Sequence, residues 1–425
     1  MDSQPKHVRT RFWHRYRGLG PNVFVLSLVS FLNDTSSEII YPLLPAFLFL
    51  TLGASPFFIG LIEGFSESAS SILKLFSGYL SDRFHKRKLP VFLGYSLAAV
   101  VRPLLAFVNS WPQVLAVRLT DRIGKGIRGA PRDALLAASV PAQKRGLAFG
   151  FNRAADHLGA VVGPLVAFWL LSYFAADPNS PSASEYQQVF LFASVPVVIG
   201  LFLIIFFVHE EKRPIPEMAA APVKLSVKEF DGNFRRFLFV IALFTLSNST
   251  DAFLLLRAQQ AGISPPMLPI LWMVLHFSKV IASLIGGDLS DKVGRKKLIV
   301  AGWIIYALVY AGFAFVGTAW HAWILFVVYG IYFGLTEGAE KALVADMVEE
   351  KKRGTAYGLY NLAFGITVFP ASLLFGALWT GFGAVTAFLV SAVISVAAAI
   401  AMLTVDPKGN GPAGQISEPA RHISD

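Results

Sequence analysis

Asp34 and Glu38 stand four residues apart, which on a helix puts them one turn apart on one face. Two carboxylates that close in a poorly solvated setting do not both ionise easily, which is the behaviour wanted of a proton carrier; a salt bridge to a nearby base is the competing reading. Asn33 adds a neutral hydrogen-bonding group beside them. A second cluster, Asn152, Arg153, Asp156 and His157, occupies one broad helix face. Its His157 is the side chain that ordinarily titrates nearest neutrality, although a histidine hydrogen-bonded for structure is equally expected. Arg118, Asp121, Arg122, Lys125, Arg128 and Arg132 fall, at about 100° per residue, within roughly a third of a helix circumference. Such a stripe is either an ion-pair seam against neighbouring helices or a positive wall that attracts an anionic or zwitterionic compound. Further along, Asn248 and Asp251 lie one turn apart, and Tyr332, Glu337 and Glu340 lie along a later helix, so the second half of the chain offers an acidic counterpart. The candidate proton-coupling residues are therefore Asp34, Glu38, Asp121, Asp156, His157 and Asp251. The candidates for lining a substrate cavity are Asn33, Arg118, Arg122, Lys125, Arg128, Asn152, Arg153, Asn248, Tyr332, Glu337 and Glu340.

The elements that must hold these groups are apolar. Of 425 residues, 55% are hydrophobic and 15% charged, with 37 Phe, against roughly 25% charged in an average soluble domain. That composition points to an all-α, polytopic membrane protein. Apolar stretches of roughly 20 residues suggest twelve spans, near 22–50, 56–80, 89–110, 112–138, 146–174, 187–208, 237–260, 265–290, 298–317, 321–347, 354–380 and 383–404. Several are interrupted by charge, so a plain hydropathy window would undercount them. Ionisable groups inside a span cost roughly 2.5–3.5 kcal/mol each at the bilayer centre, so they pair or face water. Glu63, Glu67 and Lys74 on span 2 read as a structural pairing.

Lys and Arg outside the spans gather in the N-terminal tail, in the loops after spans 2, 4, 8 and 10, and in the segment after span 6. The alternate loops hold none, which predicts cytoplasmic termini. The net charge of +10 then follows from topology, and no nucleic-acid partner is expected. The basic segment before Pro21 reads as retained rather than as a cleaved signal. The expected domains are residues 1–208, a six-helix bundle with a basic tail; 209–236, a cytoplasmic linker; 237–405, a second six-helix bundle; and 406–425, a disordered tail.

The two halves repeat. Gly78-Tyr-Leu-Ser-Asp82-Arg83, with Lys86 and Arg87 following, is matched 209 residues later by Gly287-Asp-Leu-Ser-Asp291-Lys292, with Gly294 and Arg295 following. Arg145-Gly146-Leu-Ala-Phe-Gly150 is matched 208 residues later by Arg353-Gly354-Thr-Ala-Tyr-Gly358. Two matches at nearly one offset indicate a duplicated six-span unit. With these loops the chain resembles the major facilitator superfamily, and the resemblance runs through both halves. Arg122-Ile-Gly-Lys-Gly126 is similar to that family's motif on helix 4, Tyr41-Pro42-Leu-Leu-Pro45 to the Pro-x-x-Pro of its drug/proton antiporter branch, and Gly159-Ala-Val-Val-Gly163-Pro164 to the antiporter motif of helix 5. The closing Gly pair of that last motif is replaced by Leu165, Val166 and Ala167. His85 stands for the usual Gly of the first loop and Lys292 for the usual Arg of the second.

The resemblance implies two pseudo-symmetric six-helix bundles and alternating access. It makes Gly78, Asp82, Arg83, Lys86, Arg87, Gly287, Asp291, Lys292, Gly294 and Arg295 gating loops. Pro42, Pro45, Gly159, Gly163 and Pro164 become helix-packing residues, since small residues let helices approach closely. Neither a phosphate-binding loop nor His-Glu-x-x-His nor Gly-x-Ser-x-Gly is present, and there is no Cys, so no ATPase, enzyme, metal site or cofactor is expected. The expectation is a monomeric secondary transporter in a bacterial-type inner membrane, with a small-molecule substrate, protons and the lipid bilayer as its partners. It would move a small charged or zwitterionic compound, most simply by proton-coupled antiport. Proton symport of an anionic nutrient or siderophore-like chelator is the alternative, and a non-transporting receptor on the same fold a remote one.

Overall fold

The computed structural model describes residues 19–84, 87–141, 144–210, 226–349 and 352–406, without the side chains of 78–84, 287, 288 and 291. Among the described residues the regular secondary structure is entirely helical: α1 (Pro21–Ile40), α2 (Pro56–Phe84), α3 (Lys88–Val101), α4 (Trp111–Ala138), α5 (Arg145–Phe174), α6 (Ala183–Phe207), α7a (Gly232–Ser247), α7b (Ala252–Gln260), α8 (Leu268–Val293), α9 (Arg295–Ala314), α10 (Ala319–Met347), α11 (Arg353–Phe382) and α12 (Ala384–Met402). Ten of the resulting spans are long and apolar enough to cross a membrane. The other two helices, α2 and α4, are 29 and 28 residues long. Serines and charged side chains interrupt their apolar sequence, the undercount expected of a hydropathy window. Large apolar side chains such as Phe202, Phe206, Leu284, Ile285 and Leu308 are exposed on the helix surfaces. Only lipid accommodates so much of that surface, so the protein is an integral, multi-pass membrane protein.

Local chemistry shapes several spans. Span 1 does not run straight through: α1 gives way to a turn at 41–43, a short helix (Leu44–Ala46) and a π-helical turn (Phe47–Thr51). Pro42 and Pro45 cause this, because each lacks the N–H that would continue the ladder. Span 7 departs from the uninterrupted 237–260 expected: it begins at Gly232 and breaks between Ser247 and Ala252. Four consecutive short polar residues, Asn248-Ser-Thr-Asp251, compete with the backbone for its own hydrogen bonds. Ser247 Oγ donates to Phe244 O (2.6 Å), and Thr250 Oγ1 accepts from the N–H of Ala252 (3.3 Å). Gly294 joins α8 to α9 at φ 98°, a conformation open to glycine and strained for other residues.

The chain divides into two compact units, Met1–Leu43 with Leu73–Ala221, and Leu44–Ile72 with Pro222–Asp425. In the first, α1 packs on α5 and α6, and α3 packs on α4. Gly159 and Gly163 set the first of these contacts: a Cβ on Gly159 would lie 2.7 Å from the carbonyl oxygen of Phe31, and one on Gly163 2.7 Å from that of Thr35. In the second unit α10 packs on α8 and α9, α12 on α9, and α7a on α11 and α12. The leading half of α2 also lies against α11, where Ser68 Oγ donates to Gly365 O (2.6 Å).

Candidate functional site

Within the first unit the charged stripe of α4 is divided between two environments. Arg118, Asp121 and Arg128 are buried, Arg122 is half-buried and Lys125 is exposed. Asp121 is paired with Arg102, whose Nε lies 2.9 Å from Oδ1, both side chains being almost fully enclosed. Arg102 sits where α3 tightens into a 3₁₀ turn (Arg102–Phe107), so the acid's partner comes from span 3. Span 3 thus joins the seam, because α3 and α4 form a tight pair: a Cβ on Gly94 would lie 2.5 Å from the Gly124 carbonyl.

Asn33 is the hub of the arrangement. Its carbonyl accepts from Arg102 Nη1 (3.0 Å), its Oδ1 accepts from Arg128 Nη2 (3.1 Å), and its Nδ2 donates to Asp34 Oδ1 (3.0 Å). Arg128 also donates to Gly94 O (3.0 Å) and lies over the Tyr95 ring, 4.5 Å from its centroid. A cavity of about 10 Å³ beside Arg102, Arg118 and Asp121 has room for about one water molecule and none for an organic substrate.

Asp34 and Glu38 back onto the glycines of α5: the Cβ of Asp34 lies 3.0 Å from a Cβ placed on Gly159, and that of Glu38 2.7 Å from one placed on Gly163. The second cluster does not share one setting. Asn152 and Asp156 are buried, whereas Arg153 and His157 are exposed, because the four residues span more of the helix circumference than its buried side does. Asp156 lies 3.7 Å from Arg153 and 4.0 Å from Arg132, and Arg132 also donates to Ser30 Oγ (2.9 Å). The carboxylates Asp121 and Asp156 thus both face arginine.

The second unit is built differently. Where span 7 breaks, the freed carbonyl of Ser247 accepts from Tyr306 OH (2.7 Å), Ser249 Oγ meets Tyr310 OH (3.2 Å), and Asp251 Oδ1 accepts from Tyr329 OH (2.7 Å). Asn248 Nδ2 reaches Tyr332 OH only weakly, at 3.4 Å. Tyr306 stacks on Tyr310 and Tyr329 on Tyr332, and Tyr306 meets edge-on the ring of Phe244, which lies parallel to Trp303 with centroids 4.2 Å apart. Glu340 is buried beside them, its Oε1 accepting from Trp303 Nε1 (3.1 Å) and its Oε2 from Tyr360 OH (2.7 Å). Glu337, one turn earlier on α10, instead lies between two lysines, 3.4 Å from Lys279 and 3.1 Å from Lys341.

Of the gating residues, the side chains of Gly78, Asp82, Arg83, Gly287 and Asp291 and the whole of Lys86 lie outside the described residues. Arg295 donates to Ala342 O (2.6 Å) and pairs with Asp346, tying the start of α9 to α10. Lys292 is exposed, and the N–H of Arg87 donates to Glu210 (2.5 Å).

Comparison with known proteins places this architecture. The family model described as Major Facilitator Superfamily matches residues 26–339 and 237–424. The chain belongs to the major facilitator superfamily. An uncharacterized MFS-type transporter of Methanocaldococcus jannaschii is 35% identical over 398 residues, covering 92% of this chain and 96% of the relative. The multidrug resistance protein MdtG of Citrobacter koseri is 24% identical over 365 residues, covering 81% and 84%. Among solved structures, a bacterial homologue of the human lysosomal transporter Spinster superimposes with a TM-score of 0.75 at 15% identity, covering 95% of this chain and 98% of the other; that likeness speaks to fold alone.

Family and fold are those of a transporter, and a small molecule is its substrate class. Its sequence singled out the acids of both halves but not the donors that surround them. Trp303, Tyr306, Tyr310, Tyr329, Tyr360 and Arg102 are not among the candidates read from the sequence. A signal was present: Tyr306 and Tyr310, like Tyr329 and Phe333, are four apart and share a helix face, with the polar break of span 7 marking where hydroxyls are needed.

Proposed function

We propose that this transporter exports a small charged or zwitterionic organic compound by alternating access, driven by protons moving the other way. One observation carries the reading. Each unit leaves ionisable side chains exposed within its spans: Arg153 is 67% exposed in the first, and Glu337 and Lys341 are 49% and 54% exposed in the second. Charge at that depth is untenable against lipid, so these faces meet water and whatever solute the water carries. Cationic and anionic groups together suit a substrate bearing charge. The export direction is supported by the relatives whose names describe multidrug resistance or efflux. Proton symport of an anionic compound is the second reading, favoured by the exposed Lys125 and Arg153 of the first unit. The membrane proposed is the plasma membrane, with both termini cytoplasmic and the protein acting as a monomer.

The experiment is proteoliposomes loaded with a pH-sensitive dye and challenged with ethidium, with amino-acid-like zwitterions and with hydroxycarboxylate chelators. Protons leaving the compartment that receives the compound establish antiport. Protons entering with it overturn the export reading in favour of symport.

A further inference from the structure

Buried carboxylates in the two units are satisfied in chemically opposite ways. Asp121 and Asp156 face arginine: Asp121 is enclosed with Arg102, and protonating it would leave that buried cation without its partner, while Asp156 lies 3.7 Å from Arg153 and 4.0 Å from Arg132. Glu340 is equally buried, yet both of its hydrogen bonds come from neutral donors, Trp303 and Tyr360. Among the described residues, the groups around it offer no competing cation at bonding distance. On its own helix, Glu337 and Lys341 bond to each other, and Tyr332 and Thr336 precede them. From α8 comes Lys279, which lies on Glu337 and over the ring of Phe333, 4.2 Å from its centroid. From α9 comes Trp303, with Arg295 committed to Ala342 and Asp346 farther along; from α11 come Tyr360 and Tyr357, the latter donating to Lys341 O (3.0 Å). From α7b's end of the unit comes Asp251, held by Tyr329.

The donor types then decide which oxygen titrates. An indole N–H only donates, so Oε1 must accept from Trp303 whether Glu340 is ionised or neutral. A proton on Oε2 therefore finds an acceptor, which one on Oε1 would lack at Trp303. Facing Oε2 is a hydroxyl, which can donate to a carboxylate or accept from a carboxylic acid by turning its own hydrogen away. Every polar atom of the carboxyl group keeps a partner in both protonation states, which an arginine at either position would forbid.

We infer that Glu340 takes up and releases the coupled proton at Oε2, with Trp303 fixing Oε1 as an acceptor and the Tyr360 hydroxyl reversing its role at each step. This rests on the proton-coupled reading above. The proton comes from water and returns to it, and the O–H bond on Oε2 is the one bond made and broken. The sequence grouped Glu340 with the substrate-lining residues; its enclosure assigns it to the proton instead.

The test is infrared difference spectroscopy of the purified protein in liposomes as pH is stepped, which detects a carboxylic-acid carbonyl band without any substrate. Wild type is expected to gain that band on acidification and Glu340→Gln to lack it. Gln retains the shape and both hydrogen bonds, its Oε1 accepting from Trp303 and its amide donating to Tyr360, so the variant is expected to fold. Tyr360→Phe should keep the band but move its frequency, because the acid loses its acceptor. A band unchanged in Glu340→Gln overturns the inference outright. In the same liposomes, ethidium accumulation driven by a pH gradient should be lost in Glu340→Gln; accumulation that persists there but is lost in Asp251→Asn would move the proton site to Asp251. A wild-type protein that shows the band but moves no ethidium counts against the export reading and leaves the protonation of Glu340 supported.

Discussion

Arg102 and Asp121 show what a single residue can mean inside a membrane protein. The pair is enclosed, and each member has lost its water to reach the other. Removing one partner leaves a buried charge without compensation, which costs about 3–5 kcal/mol, whereas replacing both with apolar residues of similar volume is often neutral. Asp121→Asn should therefore lower the thermal midpoint of the detergent-purified protein substantially. The double variant Arg102→Met with Asp121→Leu should recover most of that loss. Recovery alongside intact transport would make the pair structural; recovery of stability with transport still absent would show that the charges also serve the solute. Asn33 bears on the same point, since it accepts from Arg102 and from Arg128 at once. Asn33→Leu would deprive the buried Arg128 guanidinium of its side-chain acceptor while leaving the backbone carbonyl to Arg102, so it should destabilise more than Asn33→Asp, and comparing the two melting points checks this.

At the scale of elements, the approach of α5 to α1 depends on two hydrogen atoms in place of side chains. Gly163→Leu would drive a Cβ to 2.7 Å from the carbonyl of Thr35 and from the Cβ of Glu38, and backbone on one side leaves little room to yield. Overpacking of this kind costs about 1–3 kcal/mol, so the variant should be recovered in lower yield and melt earlier, while Gly150→Ala, with open space around its Cβ, should behave as wild type in both measurements. The spans and the close glycine contacts were legible in the sequence because apolar length and small-residue spacing are local signals. The break in span 7 was half legible: Asn248-Ser-Thr-Asp251 is visible as a polar run, but whether the helix opens there depends on Tyr306 being placed to receive the Ser247 carbonyl. Substituting Leu for Ser249 and Ala for Thr250 should favour closing the break and orphan the Tyr306 hydroxyl. The expected outcome is normal membrane insertion with transport lost, read by surface labelling and by the dye-loaded liposomes together. The partners of the buried acids were not legible, because periodicity says which way a residue faces and not which hydroxyl or guanidinium meets it across a helix pair.

For the whole molecule, charge distribution sets an orientation that the helices alone leave open. A helical span has no preferred direction across a bilayer; the bases flanking it supply one, since Lys and Arg are retained on the cytoplasmic side. Here the loop between α5 and α6 has neither Lys nor Arg, whereas the segment leading to α7a contains several. The absence of cysteine makes the test direct, because any thiol introduced will be the only one. Ser180 is exposed in the first of these loops and Glu229 in the second segment. Ser180→Cys should react with a membrane-impermeant maleimide on intact cells, and Glu229→Cys only after the membrane is opened. The reverse pattern would turn the basic loops outward and overturn the orientation, while the direction of exchange would still be set by the proton gradient. Labelling of both on intact cells would mean that an even number of crossings separates them, and α6, the one long helix between them among the described residues, would be the span to re-examine.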